Sequence, residues 1–175
     1  DKVEIARLLD TLDLYPERAI LVGAYALGKC QRVIALLREA GYDRPIHLHG
    51  AQRALCDLYG QLGVALGPLV DATGTAKPDL AGEIVLAPPG ALADRWSRRL
   101  LDPVSAMASG WMGVELPLVI SDHADWDELT ATLEEIHPGE VWVTHGRDDA
   151  LVHWAQGRGI AARALALVGR EDEDD

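Results

Sequence analysis

Apolar positions along this chain recur at two spacings, and the two alternate. Ile5, Leu8, Leu9 and Leu12 fall one, three and four residues apart, which predicts an amphipathic helix, and the unbroken apolar run at 19–23 predicts a buried strand. Leu27, Cys30, Val33, Ile34 and Leu37 form a second helical stripe that stops at Gly41. A short strand at 45–49, a helix over 51–62, a strand at 83–87 closed by Pro88-Pro89-Gly90 and a helix around 92–101 come next. Strands near 104–108 and 116–120 follow, then a helix carrying Trp126, Leu129, Leu133 and Ile136. A strand at 140–144, a helix at 149–156 and a strand at 161–168 complete the series. Strands alternating with helices of about ten residues imply a largely parallel α/β sheet. In such sheets ligands bind in the crevice beyond the C-terminal ends of the strands. The stretch 63–82, with its glycines and prolines, breaks the rhythm and reads as a long loop.

Composition narrows the class. A chain of 175 residues is room for one domain and a little more. An apolar share of 49% beside 25% charged residues suits a soluble globular protein, not a disordered one. No apolar run approaches the ~18 residues of a membrane span, so no membrane partner is expected. The net charge of -12 points, taken alone, away from a general nucleic-acid binder. Acids fill the last five positions, 171–175, which read with 169–170 as a disordered acidic tail. Cys30 and Cys56 make neither a disulfide framework nor a zinc-finger spacing, so a reducing, cytoplasmic setting is expected.

Several phrases carry chemistry. Gly23 to Cys30 nearly fits the phosphate loop G-x-x-x-x-G-K-[ST], with a strand before it and a helix after it. Cys30 lacks the hydroxyl that would hold Mg²⁺, so a tight turn is the alternative, and Lys29 at a helix N-terminus remains a phosphate-binding candidate. His47 and His49 alternate along a strand without a third ligand nearby and read as half-buried strand histidines. Ser121-Asp122-His123-Ala124-Asp125-Trp126 follows the apolar strand 116–120 and places Ser, Asp and His where catalytic groups of α/β enzymes gather. Asp125 with Glu128 is also a capping box for the next helix. Val141-Trp142-Val143-Thr144-His145-Gly146 repeats the arrangement of apolar strand followed by histidine, as a metal ligand at a strand end would be presented.

Read in order, Ala26-Leu27-Gly28-Lys29-Cys30-Gln31, His49-Gly50-Ala51, Ala87-Pro88-Pro89, Ala108-Ser109-Gly110-Trp111-Met112, Ser121 to Trp126 and Thr144-His145-Gly146 resemble metallo-β-lactamase-fold nucleases that carry a β-CASP region. The nearest are bacterial DNA-ligase-associated exonucleases. The resemblance implies a β-CASP-like parallel α/β domain over 1–112, then the C-terminal part of a metallo-β-lactamase αββα fold over 113–168. It implies a catalytic His123 near the scissile phosphate, with Asp122 and Asp125 beside it, and His145 as a metal ligand. Ser121, Lys29, Ser109 and Gly110 are the implied phosphate contacts.

The implied activity is metal-dependent exonucleolytic hydrolysis of DNA phosphodiester bonds in repair, with two divalent ions, Zn or Mn, in the complete enzyme. Its main metal motif, His-x-His-x-Asp-His, does not occur in this chain. The expectation is therefore a C-terminal portion, inactive alone, whose N-terminal half supplies the remaining ligands. An ATP-dependent DNA ligase or a helicase is the expected protein partner. Two alternatives stay open: a P-loop-like nucleotide enzyme using Gly23 to Lys29, and a non-catalytic module that binds DNA or a partner.

Overall fold

The computed structural model of the protein describes residues 1–109, 113–121, 123–144 and 148–165. They fall into two compact units, Asp1–His123 and Ala124–Asp175. Both are α/β. Among the described residues no helix is long and apolar enough to cross a membrane.

The first unit is built on a six-stranded parallel sheet. In chain order its elements are α1 (Lys2–Leu14), β1 (Ile20–Gly23), α2 (Lys29–Glu39), β2 (Ile46–Leu48), α3 (Gly50–Gln61), β3 (Leu69–Asp71), β4 (Ile84–Ala87), β5 (Val104–Met107) and β6 (Leu116–Pro117). The strands lie in the order β3-β2-β4-β1-β5-β6. Central strands β1 and β4 are buried at every position, as continuous runs of Ile, Leu, Val and Ala must be when both faces of a parallel sheet are covered. Ile20 pairs with Ile84 on one side and Val104 on the other.

Alternation along each strand sends the side chains to different cores. Ile20, Val22, Ile46, Leu48, Ile84 and Leu86 pack with the apolar stripes of the helices. Leu21, Val85 and Ala87 face Leu80, Ala91 and Leu100 on the other side. Each large side chain so buried contributes roughly 1.5–3 kcal/mol of transfer free energy.

Two expected elements differ. The helix anticipated at 92–101 is a pair of 3-10 turns, Pro89–Leu92 and Arg95–Arg99. Asp94 separates them, because its side chain accepts the Trp96 amide and so starts a new turn instead of continuing a helix. The anticipated loop 63–82 holds β3 and a 3-10 turn, Lys77–Leu80. Strand β6 is also shorter than the apolar run 116–120, and it pairs with β5 in the first unit's sheet.

In the second unit, α4 (Trp126–Ile136) leads to β7 (Glu140–Val143), α5 (Asp148–Gly157) and β8 (Ala161–Ala164), with β7 and β8 parallel. Asp125 caps α4 in a reciprocal box: its carboxylate accepts the Glu128 amide at 2.9 Å, and the Glu128 carboxylate accepts the Asp125 amide at 3.1 Å. Trp126 meets Trp154 edge to face. The apolar stripe of α4 buries none of its residues, and Ile136 is 64% exposed.

Candidate functional site

Beyond the C-terminal ends of β1, β5 and β6 the first unit opens into a cleft of about 520 Å³. The connections run first toward β3 and then back across β1 toward β6, so the strand order reverses beside β1, where open α/β sheets bind ligands. Each wall comes from the segment that follows a strand. Tyr25 and Lys29 follow β1, Ser109 follows β5, and Val119, Ile120, Ser121 and His123 follow β6.

Lys29 lies beneath this cleft. It is the first residue of α2 and is 6% exposed, and its ammonium donates to the Ile120 carbonyl at 2.6 Å. A charge-assisted bond of that length ties the start of α2 to the segment carrying Ser121 and His123. That segment is shaped locally: the His123 amide donates to the Ser121 hydroxyl oxygen at 3.2 Å, and the hydroxyl donates to the His123 carbonyl at 3.3 Å. The Tyr25 ring is 59% exposed at the mouth.

The loop between β1 and α2 is a tight turn closed by hydrogen bonds of its own. Gly28 takes a left-handed conformation, φ 78°, which explains the glycine at that point of the turn. Its amide donates to the Gln31 side-chain oxygen at 2.9 Å, the Lys29 amide to the Leu27 carbonyl and the Cys30 amide to the Tyr25 carbonyl, both at 3.0 Å. The amides of Gly28, Lys29 and Cys30 are therefore engaged within the turn. Gly23 has a packing reason as well, since a Cβ there would lie 2.7 Å from the Met107 sulfur and 2.8 Å from Leu92.

The histidine pair of β2 also divides. His47 is buried in the strand, with Nδ1 3.3 Å from the Thr75 hydroxyl, and burial lowers its pKa below the usual histidine value. His49 lies past the strand end, where its Nδ1 accepts the Ala51 amide at 3.0 Å as the N-cap of α3. Cys30 and Cys56 approach to 3.9 Å between sulfurs, and the Gln31 amide donates to the Cys56 sulfur at 3.3 Å. The hydrogen bond with Cys56 and burial hold the Cys30 thiol well above its ordinary pKa.

No protein-family model matches the chain. One curated relative does. Over 153 residues the chain is 29% identical to a protein of Opitutus terrae named "Probable DNA ligase". The match takes in 81% of this chain and 14% of that protein, so the chain corresponds to a small part of its relative's length.

Of the residues singled out by sequence, Lys29, Ser109, Ser121 and His123 share the cleft. Asp125 caps α4 in the second unit. Gly110, Asp122 and His145 lie outside the described residues. Among the described residues no three His, Cys, Asp or Glu side chains gather as a metal site would require. They do not by themselves fit a metal ion. Tyr25 and Val119 also wall the site: Tyr25 comes just after the apolar run 19–23, and Val119 lies within the run 116–120, beyond the end of β6.

Proposed function

We propose that this chain is the DNA-acting C-terminal portion of a phosphodiester hydrolase, in its finer form an exonuclease of the metallo-β-lactamase type with a β-CASP-like first unit. One observation carries the proposal: Lys29, Ser109 and the Ser121–His123 segment, from three separate parts of the sequence, line one cleft at the reversal point of a parallel sheet. The Ser109 hydroxyl suits a non-bridging oxygen of a phosphate, and the Ser121 hydroxyl can serve a second one by turning from the His123 carbonyl. The Lys29 ammonium supplies positive potential through the floor, and an imidazole at the rim suits delivery of a proton to a departing alkoxide. The likeness to a protein named as a DNA ligase supports a DNA substrate and a ligase context.

The described residues hold no metal centre, so the ligands for Zn or Mn are assigned to His145 and to a His-x-His-x-Asp-His segment outside this sequence. The uncovered apolar stripe of α4 agrees with a second unit that is completed by other chain. The same absence of a metal cluster among the described residues also favours a second reading, a binding module without catalysis of its own.

End-labelled DNA incubated with divalent metal separates the two. The chain alone is expected to leave DNA intact. A longer chain carrying His-x-His-x-Asp-His ahead of Asp1 is expected to shorten it stepwise, and His123→Ala in that chain to slow cleavage about a hundredfold or more without loss of bound metal. No cleavage by the longer chain refutes the hydrolase, and full activity in His123→Ala refutes the role given to His123.

A further inference from the structure

Most arginines of the first unit are neutralised. Arg7, Arg18, Arg32, Arg44 and Arg53 each pair with a carboxylate, and Arg38 gives its guanidinium to backbone carbonyls including those of Leu66 and Pro68. One group departs from this. Lys77, Arg95, Arg98 and Arg99 form no ion pair among the described residues, although the chain as a whole carries -12.

These four side chains are gathered, not scattered. The Lys77 ammonium donates to the Arg98 carbonyl at 2.7 Å, and Arg99 donates to the Thr73 carbonyl at 2.6 Å. The two bonds fasten the turn Lys77–Leu80 and the loop after β3 to the turn Arg95–Arg99 after β4. Trp96 secures the second turn from within, packing on the sheet's apolar face and meeting the His49 ring edge-on at 4.6 Å. Lys77, Arg95 and Arg98 are exposed, while Arg99 is partly buried and acts as an anchor. The neighbouring acids include Asp71, Asp79 and Asp94; Asp71 accepts the Thr73 amide, and Asp94 is engaged as the cap of its own turn. Three arginines within the five-residue turn Arg95–Arg99, with the Lys77 ammonium bonded to that turn's backbone, concentrate positive charge that a bound polyanion neutralises.

We propose that Lys77, Arg95 and Arg98, positioned by Arg99, are a docking surface for the sugar–phosphate backbone of DNA. The proposal rests on the DNA-acting reading above and names where the substrate is held away from the cleft. Both features stand at the C-terminal edge of one sheet, the cations after β3 and β4 and the cleft after β1, β5 and β6. Three strand spacings separate β4 from β6, roughly 14 Å, which is the axial length of about four phosphates of a duplex strand. A DNA strand crossing the cations can therefore reach Ser121 and His123 within a few nucleotides.

Fluorescence anisotropy of the chain with a labelled DNA duplex, over a range of salt concentrations, tests the surface. The expected result is salt-dependent binding that the variant Lys77→Gln/Arg95→Gln/Arg98→Gln weakens tenfold or more. Its slope of log affinity against log salt is expected to fall by about 2–3. The single variant Arg95→Gln, which leaves both fastening bonds in place, is expected to lower the slope by about 1, so misfolding of the triple variant does not decide the matter. Neutralising Arg7 and Arg32 instead is expected to change neither quantity. Unchanged binding in the cation variants, or no DNA binding by the wild type, overturns the surface. Displacement of the DNA by polyglutamate at equal charge, lost in the same variants, also overturns it in favour of an acidic protein partner. These are binding measurements, so they stand or fall separately from the cleavage assay on His123→Ala in the longer chain.

Discussion

Replacing Lys29 by Met separates a structural lysine from a ligand-binding one. Met matches the length and volume of the side chain, so the cavity term stays small. What disappears is the bond from the ammonium to the Ile120 carbonyl, 2.6 Å long and at a site only 6% exposed. Hydrogen bonds to charged groups contribute about 1.5–3 kcal/mol. Removing the amine also relieves part of its own desolvation, because it lies under an open cleft and not in the deep core. The two effects oppose, and the hydrogen bond is the larger because an unpaired carbonyl remains behind. The expected net loss is about 1–2 kcal/mol, which corresponds to roughly 4–8 °C in Tm for the unit Asp1–His123.

The loss is expected to be local in character. Among the described residues of 118–123, the other backbone bonds include Leu118 N to the Met107 carbonyl and Ile120 N to the Leu118 carbonyl. Hydrogen exchange followed by mass spectrometry should therefore speed up in peptides covering 118–123, with those of β1 and β4 unchanged. Unaltered exchange across 118–123 together with unaltered Tm would refute the assignment of Lys29 as the tie that shapes the cleft.

Three further outcomes follow from single side chains. Burial and the nearby Glu83 push the Tyr42 hydroxyl up to about 12, so its neutral form is favoured in the folded state; stability is retained below pH ~10 and lost as pH rises toward 12, and Tyr42→Phe should flatten that alkaline decline in a urea titration series. His47 is shifted the opposite way by burial, so the unfolded chain binds the proton more readily; stability should fall as pH drops below about 6.5, and His47→Gln should remove that dependence in thermal melts at pH 5 and 7. Asp125→Ala deletes one half of the capping box of α4 and should cost about 1 kcal/mol, read as loss of helical circular dichroism on heating; an unchanged melt would show that the cap is not needed.

The parts legible in the sequence are those whose signal is local. Strands β1 and β4 announce themselves because all their side chains are buried, leaving uninterrupted apolar runs. Helices α1 to α3 show the matching stripes. Leu92, Trp96 and Leu100 sit four apart like a helix face and do pack together, but Asp94 competes for the backbone and two short turns result. Leu69-Val70-Asp71 is too short and too exposed to show the burial pattern of a strand, and its register comes from pairing with β2.

Within the site, residues after strand ends are readable from the run that precedes them, which is how Ser121 and His123 stand out, whereas Ser109 rests on the family resemblance alone. What joins them is not readable in this way. The Lys29–Ile120 bond spans 91 positions, and the Cys30–Cys56 approach spans 26; tertiary packing alone creates both.

The position of β1 at the centre of the sheet sets the order in which this protein can be made. Its two partners, β4 and β5, are among the last strands of the first unit to leave the ribosome, so β1 emerges with both edges open and waits for residues 84–107. Long-range parallel pairing of this kind slows folding and leaves apolar strand edges unprotected in the interval. A chain cut before Val104 lacks one neighbour of β1 altogether. Synthesis of this protein is thus a race between completion of the sheet centre and self-association of nascent chains, and slower translation past residue 23 lengthens the exposed stage.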